Sequence, residues 1–442
     1  MVKAIYFTNK IKDFNKKIIV DGDKSLSIRW ALMASLAQGK SRAYNLLKSE
    51  DVLSTIKSLK KLGIKIKSNK KYHEIIGNGL NGYIHKKNLI INAGNSGTLG
   101  RLILALLICS PEKIKLVGDK SLSKRDFSRV IQPLKKFGAN FYPYNKKTLP
   151  ILIKGKNIIK PIKYFENKGS AQCKSCIMLA ALNAPGKTFI KAKKSRDHTE
   201  ILFKNLKIPI KVKKTKNYDY IEIEGKKKFK AFNYNIPGDI SSSAFFIVLT
   251  LLSKKSNLII KNVNVNPSRT GIITILNKMG AKIIFKNKKI YKGEQIADIS
   301  IKSINNLNSI NCPTKLNSSA IDEFLIIFLV AAKAKGTSYF KNLEELNKKE
   351  SKRLDWGSKI LNMIGIKTEL TNHSIKIHGN PNLHLYKNYK VKDYLKDHRI
   401  MAMTTIAALT LGGQWKINDP DSINSSFPSF LKIIKNLGGK IN

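Results

Sequence analysis

The chain has 442 residues, of which 42% are hydrophobic, so it is long enough for two globular domains and too apolar to be disordered throughout. Lys and Arg total 82 against 29 Asp and Glu, which gives a formal net charge of +53. The lysines form neither a separate tail nor a run interleaved with aromatic residues, which disfavours a base-stacking nucleic-acid binder. A general drift of surface residues toward Lys, as AT-biased coding produces, explains this charge better.

Two kinds of helix alternate along the chain. One is apolar on nearly all sides, and the other is amphipathic, with apolar residues at i, i+3 and i+4 followed by a short alternating strand. In chain order, apolar helices are predicted to begin at 24, 95, 170, 241, 318 and 397, and amphipathic segments to occupy 55–67, 129–141, 199–212, 269–285, 355–370 and 430–441. The apolar helices begin 71 to 79 residues apart, so the sequence predicts six repeats with buried apolar helices.

A break is expected after the third repeat. The segment 231–239 divides the chain near its midpoint, and a similar crossing at 16–24 follows the first strand. We therefore predict one three-repeat domain at 21–234 and a second formed by 1–20 plus 235–442, with the two crossings as a hinge.

Each apolar helix is expected to begin with residues typical of N-caps. The starts read Lys24-Ser25, Asn95-Ser96-Gly97, Ser170, Ser241-Ser242-Ser243, Ser318-Ser319 and Asp397. Helix N-termini carry unpaired N–H groups and a partial positive charge, so several of them side by side would bind anions, above all phosphate. Such residues also cap helices that bind nothing, so only the recurrence of the pattern favours a site.

Arginine is rare, with nine residues against 73 Lys, and its planar guanidinium suits carboxylates and phosphates. Six of the nine lie at or near predicted helix starts: Arg29, Arg101, Arg125, Arg196, Arg353 and Arg399. Ser25 and Arg29 are four residues apart, so they share a helix face with Lys24 at its end. These groups indicate a substrate with several negative charges.

Two carboxylates are candidates for proton transfer. Asp322 is expected in the first turn of the apolar helix that begins at 318, either as a general base or as an acid that caps the helix. Glu350 lies in KKESKR and is either a second acid–base group or an exposed salt-bridge partner. His198 and His398 could titrate near neutrality, or they could cap or pack.

The remaining features exclude several classes of protein. Four cysteines do not make a disulfide framework, and the Cys173-x-x-Cys176 pair lies inside an apolar helix without a second pair, so no metal site is expected. No GxGxxG motif occurs in a βαβ context, and the motifs GxxxxGK(S/T) and HExxH are absent, so a nucleotide fold and a zinc hydrolase have no support. The N-terminus has no signal or transit pattern, and the longest apolar run is too short to span a membrane, so a cytoplasmic protein is expected.

Ten stretches spread in order along the chain resemble the enolpyruvyl transferases, and in particular the bacterial members that use shikimate 3-phosphate. They are DGDKSLSIRW (21–30), NAGNSGTLGRL (92–102), GDKSLSKRDFSRVIQPL (118–134), GSAQCKSCIMLAAL (169–182), SRDHTE (195–200), NPSRTGIITIL (266–276), SSAIDEF (318–324), LEELNKKESKRL (343–354), KDHRIMAM (396–403) and SSFPSF (425–430). The resemblance implies a mixed α/β fold, an inverse α/β prism of two domains with three βαβαββ-type units each. It also implies that the domains close over the substrates.

The resemblance also implies a reaction. The 5-hydroxyl of shikimate 3-phosphate adds to phosphoenolpyruvate, and phosphate then leaves in an elimination step. Neither a metal nor an organic cofactor is expected, the partners are these small molecules rather than a specific nucleic acid or a membrane, and the family suggests a monomer. Glyphosate is expected to compete with phosphoenolpyruvate, because Gly97 leaves space beside its pocket.

The expected site residues are the positions of this sequence that match the motifs of the family. The resemblance implies that shikimate 3-phosphate contacts Lys24, Ser25, Arg29, Ser170, Ala171, Gln172, Ser195, Arg196, Asp322 and Lys349. It implies that phosphoenolpyruvate contacts Lys24, Asn95, Gly97, Arg125, Gln172, Arg353 and Arg399. Asp322 resembles the base that takes the hydroxyl proton, while Glu350 and Lys24 resemble the groups that handle the C3 proton and the leaving phosphate.

Two alternative functions have less support in the sequence. The related transferase that uses UDP-N-acetylglucosamine usually carries a reactive Cys in the loop that reads GDKSLSKRD (118–126) here, and this loop has none. A non-catalytic, basic nucleic-acid-binding protein would instead bind DNA or RNA tightly, with a steep dependence on salt.

Overall fold

The computed structural model describes residues 3–442, which form two compact units. The first unit comprises Gly22–Ile236 and Tyr291–Glu294, and the second comprises residues 3–21, Pro237–Ile290 and Gln295–Asn442. The short segment Tyr291–Glu294 was not anticipated from the sequence.

The helices alternate with the strands throughout. The α-helices are α1 (Lys24–Leu36), α2 (Glu50–Lys61), α3 (Gly97–Leu106), α4 (Ser128–Phe137), α5 (Ala171–Ala181), α6 (His198–Asn205), α7 (Ile240–Leu252), α8 (Gly271–Lys278), α9 (Asn317–Ala320), α10 (Phe324–Lys333), α11 (Arg353–Met363), α12 (His398–Leu411) and α13 (Phe430–Asn436). Short 3₁₀-helices occur at Leu122–Lys124, Thr314–Leu316, Glu344–Lys348 and Pro420–Ser425.

The strands are short. They are β1 (Ala4–Phe7), β2 (Asn15–Ile18), β3 (Gln38–Tyr44), β4 (Lys65–Ser68), β5 (Tyr72–Asn78), β6 (Ile90–Asn92), β7 (Lys113–Val117), β8 (Asn140–Tyr142), β9 (Ile151–Lys154), β10 (Lys163–Glu166), β11 (Lys187–Lys193), β12 (Ile210–Lys214), β13 (Tyr218–Glu224), β14 (Tyr234–Asn235), β15 (Asn257–Asn264), β16 (Ile284–Tyr291), β17 (Glu294–Lys302), β18 (Gly336–Phe340), β19 (Thr368–Leu370), β20 (Ile375–Gly379), β21 (Leu385–Val391) and β22 (Gly412–Asn418).

Within residues 3–442 the strands form six small sheets. The sheets of the first unit have the orders β14-β3-β5-β4, β6-β7-β9-β8 and β10-β11-β13-β12, each with one parallel pair followed by two antiparallel pairs. Those of the second unit have the orders β2-β15-β17-β16, β21-β22-β1 and β18-β20-β19. Strands β15 and β22 again pair in parallel on one side and antiparallel on the other. This recurring topology confirms the predicted mixed α/β fold of six repeats.

Each unit has its own hydrophobic core, and the apolar helices form its centre. Helices α1, α3 and α5 are buried along most of their length in the first unit, as are α7, α10 and α12 in the second. In α12 every residue is buried, so no face is available for solvent. The amphipathic helices each bury one side, as α4 does with Val130, Leu134 and Phe137.

The amphipathic helices end where the glycine pattern predicts. Gly138 follows α4 with φ +115°, a left-handed conformation that glycine adopts without steric cost. The copy that lacks glycine places Lys207 in the same role after α6, with φ +55°.

Two details of the apolar helices differ from the prediction. Asp23 and Asp239, rather than the residues that follow them, cap α1 and α7 by accepting hydrogen bonds from backbone N–H groups. The helix predicted to begin at 318 is interrupted, since α9 ends at Ala320 and α10 begins only at Phe324. The prediction that Asp322 lies in the first helical turn is therefore wrong, and Asp322 lies in the turn between these helices.

Candidate active site

At the start of α1, Lys24 and Arg29 are held in different ways. Lys24 Nζ lies 2.9 Å from Asp51 Oδ2 on α2. Arg29 is buried, and it donates hydrogen bonds to Thr199 Oγ1 (2.9 Å), Ser175 Oγ (3.0 Å) and the Ser25 carbonyl oxygen (3.2 Å). These three acceptors are neutral oxygens, and together they orient the guanidinium of Arg29.

Two guanidinium groups approach the start of α3. A Cβ added at Gly97 would lie 2.5 Å from Arg125 Nη1 and 3.0 Å from Arg101 Nη1, so this approach requires a residue without a side chain. Arg101 Nη1 donates to Gln172 Oε1 (2.7 Å), and Gln172 Nε2 donates to Thr98 Oγ1 (3.0 Å). These two bonds orient the Gln172 amide and bring the first turns of α3 and α5 together.

Asn95 and Ser170 complete this part of the first unit. Asn95 Nδ2 donates to Asp119 Oδ2 (2.6 Å), and Asp119 also accepts from the Leu122 backbone, so the loop before Arg125 is tied to the start of α3. Ser170 caps α5, as predicted, by accepting a hydrogen bond from the Cys173 N–H. Ala171 is the first residue of that helix.

Ser195 and Arg196 lie between β11 and α6, and both are half-buried. The Ser195 hydroxyl oxygen is buried and has no hydrogen-bond partner within residues 3–442. A buried hydroxyl without a partner costs free energy, and a ligand that bonded to it would remove that cost.

A fully buried lysine connects these elements. Lys174 on α5 places Nζ 2.6 Å from Glu200 Oε1 on α6 and 3.7 Å from Asp219 Oδ2 on β13. Removal of one member of such a buried group would leave an uncompensated charge, so the group fixes α5 relative to α6. It thereby positions Ser170 and Ser195, and spacing in the sequence gave no sign of it.

In the second unit, Asp322 lies between two cations. Its Oδ1 accepts a hydrogen bond from Lys349 Nζ (3.1 Å) and lies 3.6 Å from Arg353 Nη1. The Asp322 side chain is 18% exposed, so a substrate hydroxyl can reach it. The geometry suits a carboxylate that accepts a proton.

Arg353 joins three carboxylates. Its Nε donates to Asp397 Oδ2 (2.9 Å), and its Nη2 donates to Glu350 Oε2. Burial would lower the pKa of Arg353, but attraction by Asp397 and Glu350 outweighs burial and raises this pKa above its usual value. Glu350 is therefore part of a partly buried network rather than an exposed salt bridge.

Arg399 belongs to a second buried network. Its Nη1 lies 3.4 Å from the Ser241 carbonyl oxygen and 3.9 Å from Glu323 Oε1. Ser241 Oγ donates to Glu323 and accepts from Arg269 Nη2 (2.8 Å), and Arg269 also donates to Asp239 (3.1 Å). Arg269 and Glu323 were missed by the sequence analysis, although the rarity of arginine was a usable signal for Arg269.

The two histidines have structural partners. His198 Nδ1 lies 2.7 Å from Glu294 Oε1, and His398 Nδ1 lies 3.3 Å from Ser425 Oγ. Within residues 3–442 no group of three or more His, Cys, Asp or Glu could hold a metal ion. No helix in the same range has the length and apolar character needed to cross a membrane.

Comparisons with known proteins agree with this architecture. Residues 8–434 match the family model described as EPSP synthase (3-phosphoshikimate 1-carboxyvinyltransferase). The 3-phosphoshikimate 1-carboxyvinyltransferase of Vesicomyosocius okutanii is 40% identical over 425 residues, which cover 96% of this chain and 95% of the relative. That of Petrotoga mobilis is 37% identical, with 96% and 98% covered.

Solved structures define the class of fold. The EPSP synthase of Acinetobacter baumannii superposes with a TM-score of 0.86 at 33% identity, with 100% of this chain and 99% of that chain covered. The enolpyruvyl transferase NikO of Streptomyces tendae, at 13% identity and the same coverage, has a TM-score of 0.77 and shares the fold. The fold is thus that of the enolpyruvyl transferases. Within this class, the chain belongs to the EPSP synthase family of transferases.

Proposed function

We propose that this chain transfers the enolpyruvyl group of phosphoenolpyruvate to the 5-hydroxyl of shikimate 3-phosphate and releases phosphate. The observation that carries the proposal is the family match over residues 8–434. The grouping of arginines, lysines and hydroxyls around helix starts supports it, because both substrates are polyanions.

The first unit supplies most of the groups that bind anions. Those assigned to shikimate 3-phosphate are Lys24, Ser25, Arg29, Ser170, Ala171, Gln172, Ser195 and Arg196. The buried Ser195 hydroxyl offers a donor for a phosphate oxygen. Lys24, Asn95, Gly97, Arg125 and Gln172 are assigned to phosphoenolpyruvate, with the Arg125 and Arg101 guanidinium groups close to Gly97.

The second unit supplies the carboxylates. Asp322, between Lys349 and Arg353, takes the proton of the 5-hydroxyl while the oxygen of that hydroxyl forms a bond to C2 of phosphoenolpyruvate. C3 gains a proton in this addition and loses one in the elimination, when the bond from C2 to the phosphate oxygen breaks. Glu350 and Lys24 are assigned to these proton transfers and to the leaving phosphate. Arg353 and Arg399 stabilise the charge of phosphoenolpyruvate and the intermediate.

An acceptor assay tests the reaction. Phosphoenolpyruvate is supplied with either shikimate 3-phosphate or UDP-N-acetylglucosamine, and released phosphate is measured. We expect release only with shikimate 3-phosphate. Equal or greater release with the nucleotide sugar would contradict the proposal.

A pair of variants tests the assigned base. Asp322→Asn should lower kcat by about 10²- to 10⁴-fold, the range typical of a lost general base. The matched control is Asp421→Asn, since the Asp421 side chain is 65% exposed and pairs with Lys3 at 3.5 Å. If Asp322→Asn kept wild-type turnover and circular dichroism showed an intact fold, Asp322 would not be the base.

A further inference from the structure

A concave surface on the sheet β10-β11-β13-β12 lies apart from the assigned substrate residues. It encloses about 660 Å³ and is lined on its solvent side by alternating aromatic and charged side chains. None of the residues assigned to substrates lines it. The opposite side of this sheet packs on the core through Ile190, Ile221 and Ile223.

The strand register brings these side chains together. Phe165, Lys191, Tyr220 and Lys213 lie side by side across the four strands. The neighbouring row, two residues away and therefore about 6.6 Å along the strands, consists of Lys163, Phe189, Glu222 and Lys211. Residues from four separate stretches thus form one surface, which the linear sequence did not reveal.

Three aromatic rings on this surface are open to solvent. Phe165 is 46% exposed, Phe189 37% and Tyr220 42%. Exposed aromatic rings that share one sheet face can stack against planar ligands, and single-stranded nucleic acid offers a base at every residue. A duplex keeps its bases stacked inside, so the single-stranded form fits better.

The lysines supply the second requirement, which is charge. Lys191 Nζ lies 5.0 Å from the Phe165 ring centre and 5.9 Å from that of Tyr220, and Lys163 Nζ lies 5.9 Å from that of Phe189. Such contacts at exposed sites are weak, so the ammonium groups can turn to phosphates when bases cover the rings. The acid in these two rows, Glu222, already pairs with Lys187 at 2.9 Å.

We propose that this face, the aromatic–lysine face, binds single-stranded nucleic acid with little sequence preference. Bases stack on Phe165, Phe189 and Tyr220, and the backbone phosphates pair with the surrounding lysines. The face is additional to the transfer reaction, and neither proposal depends on the other.

A ring-removal variant tests the stacking. The triple variant Phe165→Leu, Phe189→Leu, Tyr220→Leu keeps the net charge and the apolar character of the strands. We expect its affinity for oligo(dT) or oligo(U) of about 12 nucleotides to fall at least tenfold at low salt. Transfer activity, the melting temperature and binding of inorganic polyphosphate should stay at wild-type values.

The matched control removes rings elsewhere. Tyr44 and Tyr142 are 39% and 38% exposed on other sheets, and Tyr142 also has a lysine over its ring, at 5.3 Å. The double variant Tyr44→Leu, Tyr142→Leu should bind the oligonucleotides like the wild type. Equal affinity of all three proteins would mean that net charge alone attracts the strand, and an equal loss in the control would mean that exposed rings elsewhere contribute as much. Either result would overturn the proposal.

Salt dependence provides an independent measurement. Lys191→Gln with Lys213→Gln should reduce the slope of log affinity against log salt by about 0.7 for each phosphate that is no longer neutralised. The triple ring variant should keep the wild-type slope. A slope unchanged by the lysine substitutions would refute the assignment of these lysines to phosphates.

Discussion

Gly97→Ala perturbs the first unit at the point where two guanidinium groups meet the start of α3. The added Cβ would lie 2.5 Å from Arg125 Nη1. Non-bonded heavy atoms settle at about 3.5 Å, so the Arg125 guanidinium must retreat by about 1 Å. It is the far end of a flexible side chain, and we expect the cost in stability to stay below about 1 kcal/mol.

The effect on substrate binding should be much larger. A charge-assisted hydrogen bond contributes about 1.5–3 kcal/mol, and a shift of about 1 Å can lose most of it. We therefore expect the KM for phosphoenolpyruvate to rise about 10- to 100-fold. The KM for shikimate 3-phosphate should change less, since Arg29 and Ser195 do not contact the new methyl group.

The two KM values are measured by steady-state kinetics with each substrate varied in turn. A melting curve measures the change in stability. Gly100→Ala is the matched control, because it makes the same change one turn along α3, where the new Cβ meets the edge of the Phe127 ring at 3.3 Å. It should leave both KM values near the wild type. An unchanged KM for phosphoenolpyruvate in Gly97→Ala, or an equal loss in Gly100→Ala, would refute the reasoning.

Inhibition, acid stability and thiol labelling offer three more tests. Glyphosate, which carries a phosphonate and a carboxylate, should inhibit competitively against phosphoenolpyruvate, and inhibition that phosphoenolpyruvate cannot relieve would contradict this. Burial and the nearby charge of Lys48 lower the pKa of His73, so the unfolded chain takes up its proton first and the free energy of unfolding should decline as the pH falls below about 6.5. His73→Gln should flatten that part of the stability profile, and an identical profile would argue against the assignment. Burial raises the pKa of the Cys173 thiol to about 12, so a disulfide reagent at pH 8 should label it only after denaturant is added, which peptide mass spectrometry can check.

The repeats could be predicted because their signals are local. A period of 3.6 residues, a following glycine and a spacing near 74 residues all lie within short stretches of sequence. The residue that caps each helix was harder to predict, since Asp23 and the polar residues after it are all acceptable N-caps. The turn that contains Asp322 was not predicted because its residues are also compatible with a continuous helix. Packing in the folded chain decides between a helix and a turn at this position.

Contacts between distant residues could not be predicted in the same way. Arg29 reaches Ser175 and Thr199, which are 146 and 170 residues further along the chain. The aromatic–lysine face likewise exists only through the register of four strands. Family motifs predict that Arg29 is a site residue, whereas the groups that orient it could be found only in the folded chain.

The arginines assigned to the proposed site have different kinds of partners in the two units. In the first unit, Arg29 and Arg101 donate to hydroxyl, amide and carbonyl oxygens, which orient each guanidinium. A guanidinium oriented in this way suits a phosphate or a carboxylate of the substrate. In the second unit, Arg353 is surrounded by Asp322, Glu350 and Asp397, so its charge is already balanced. An arginine with these partners holds acidic groups in place, which the proposed proton transfers at a hydroxyl and at C3 require. Under the proposed assignments, substitutions at Arg29 should act mainly on KM, and substitutions at Asp322 and Glu350 should act mainly on kcat.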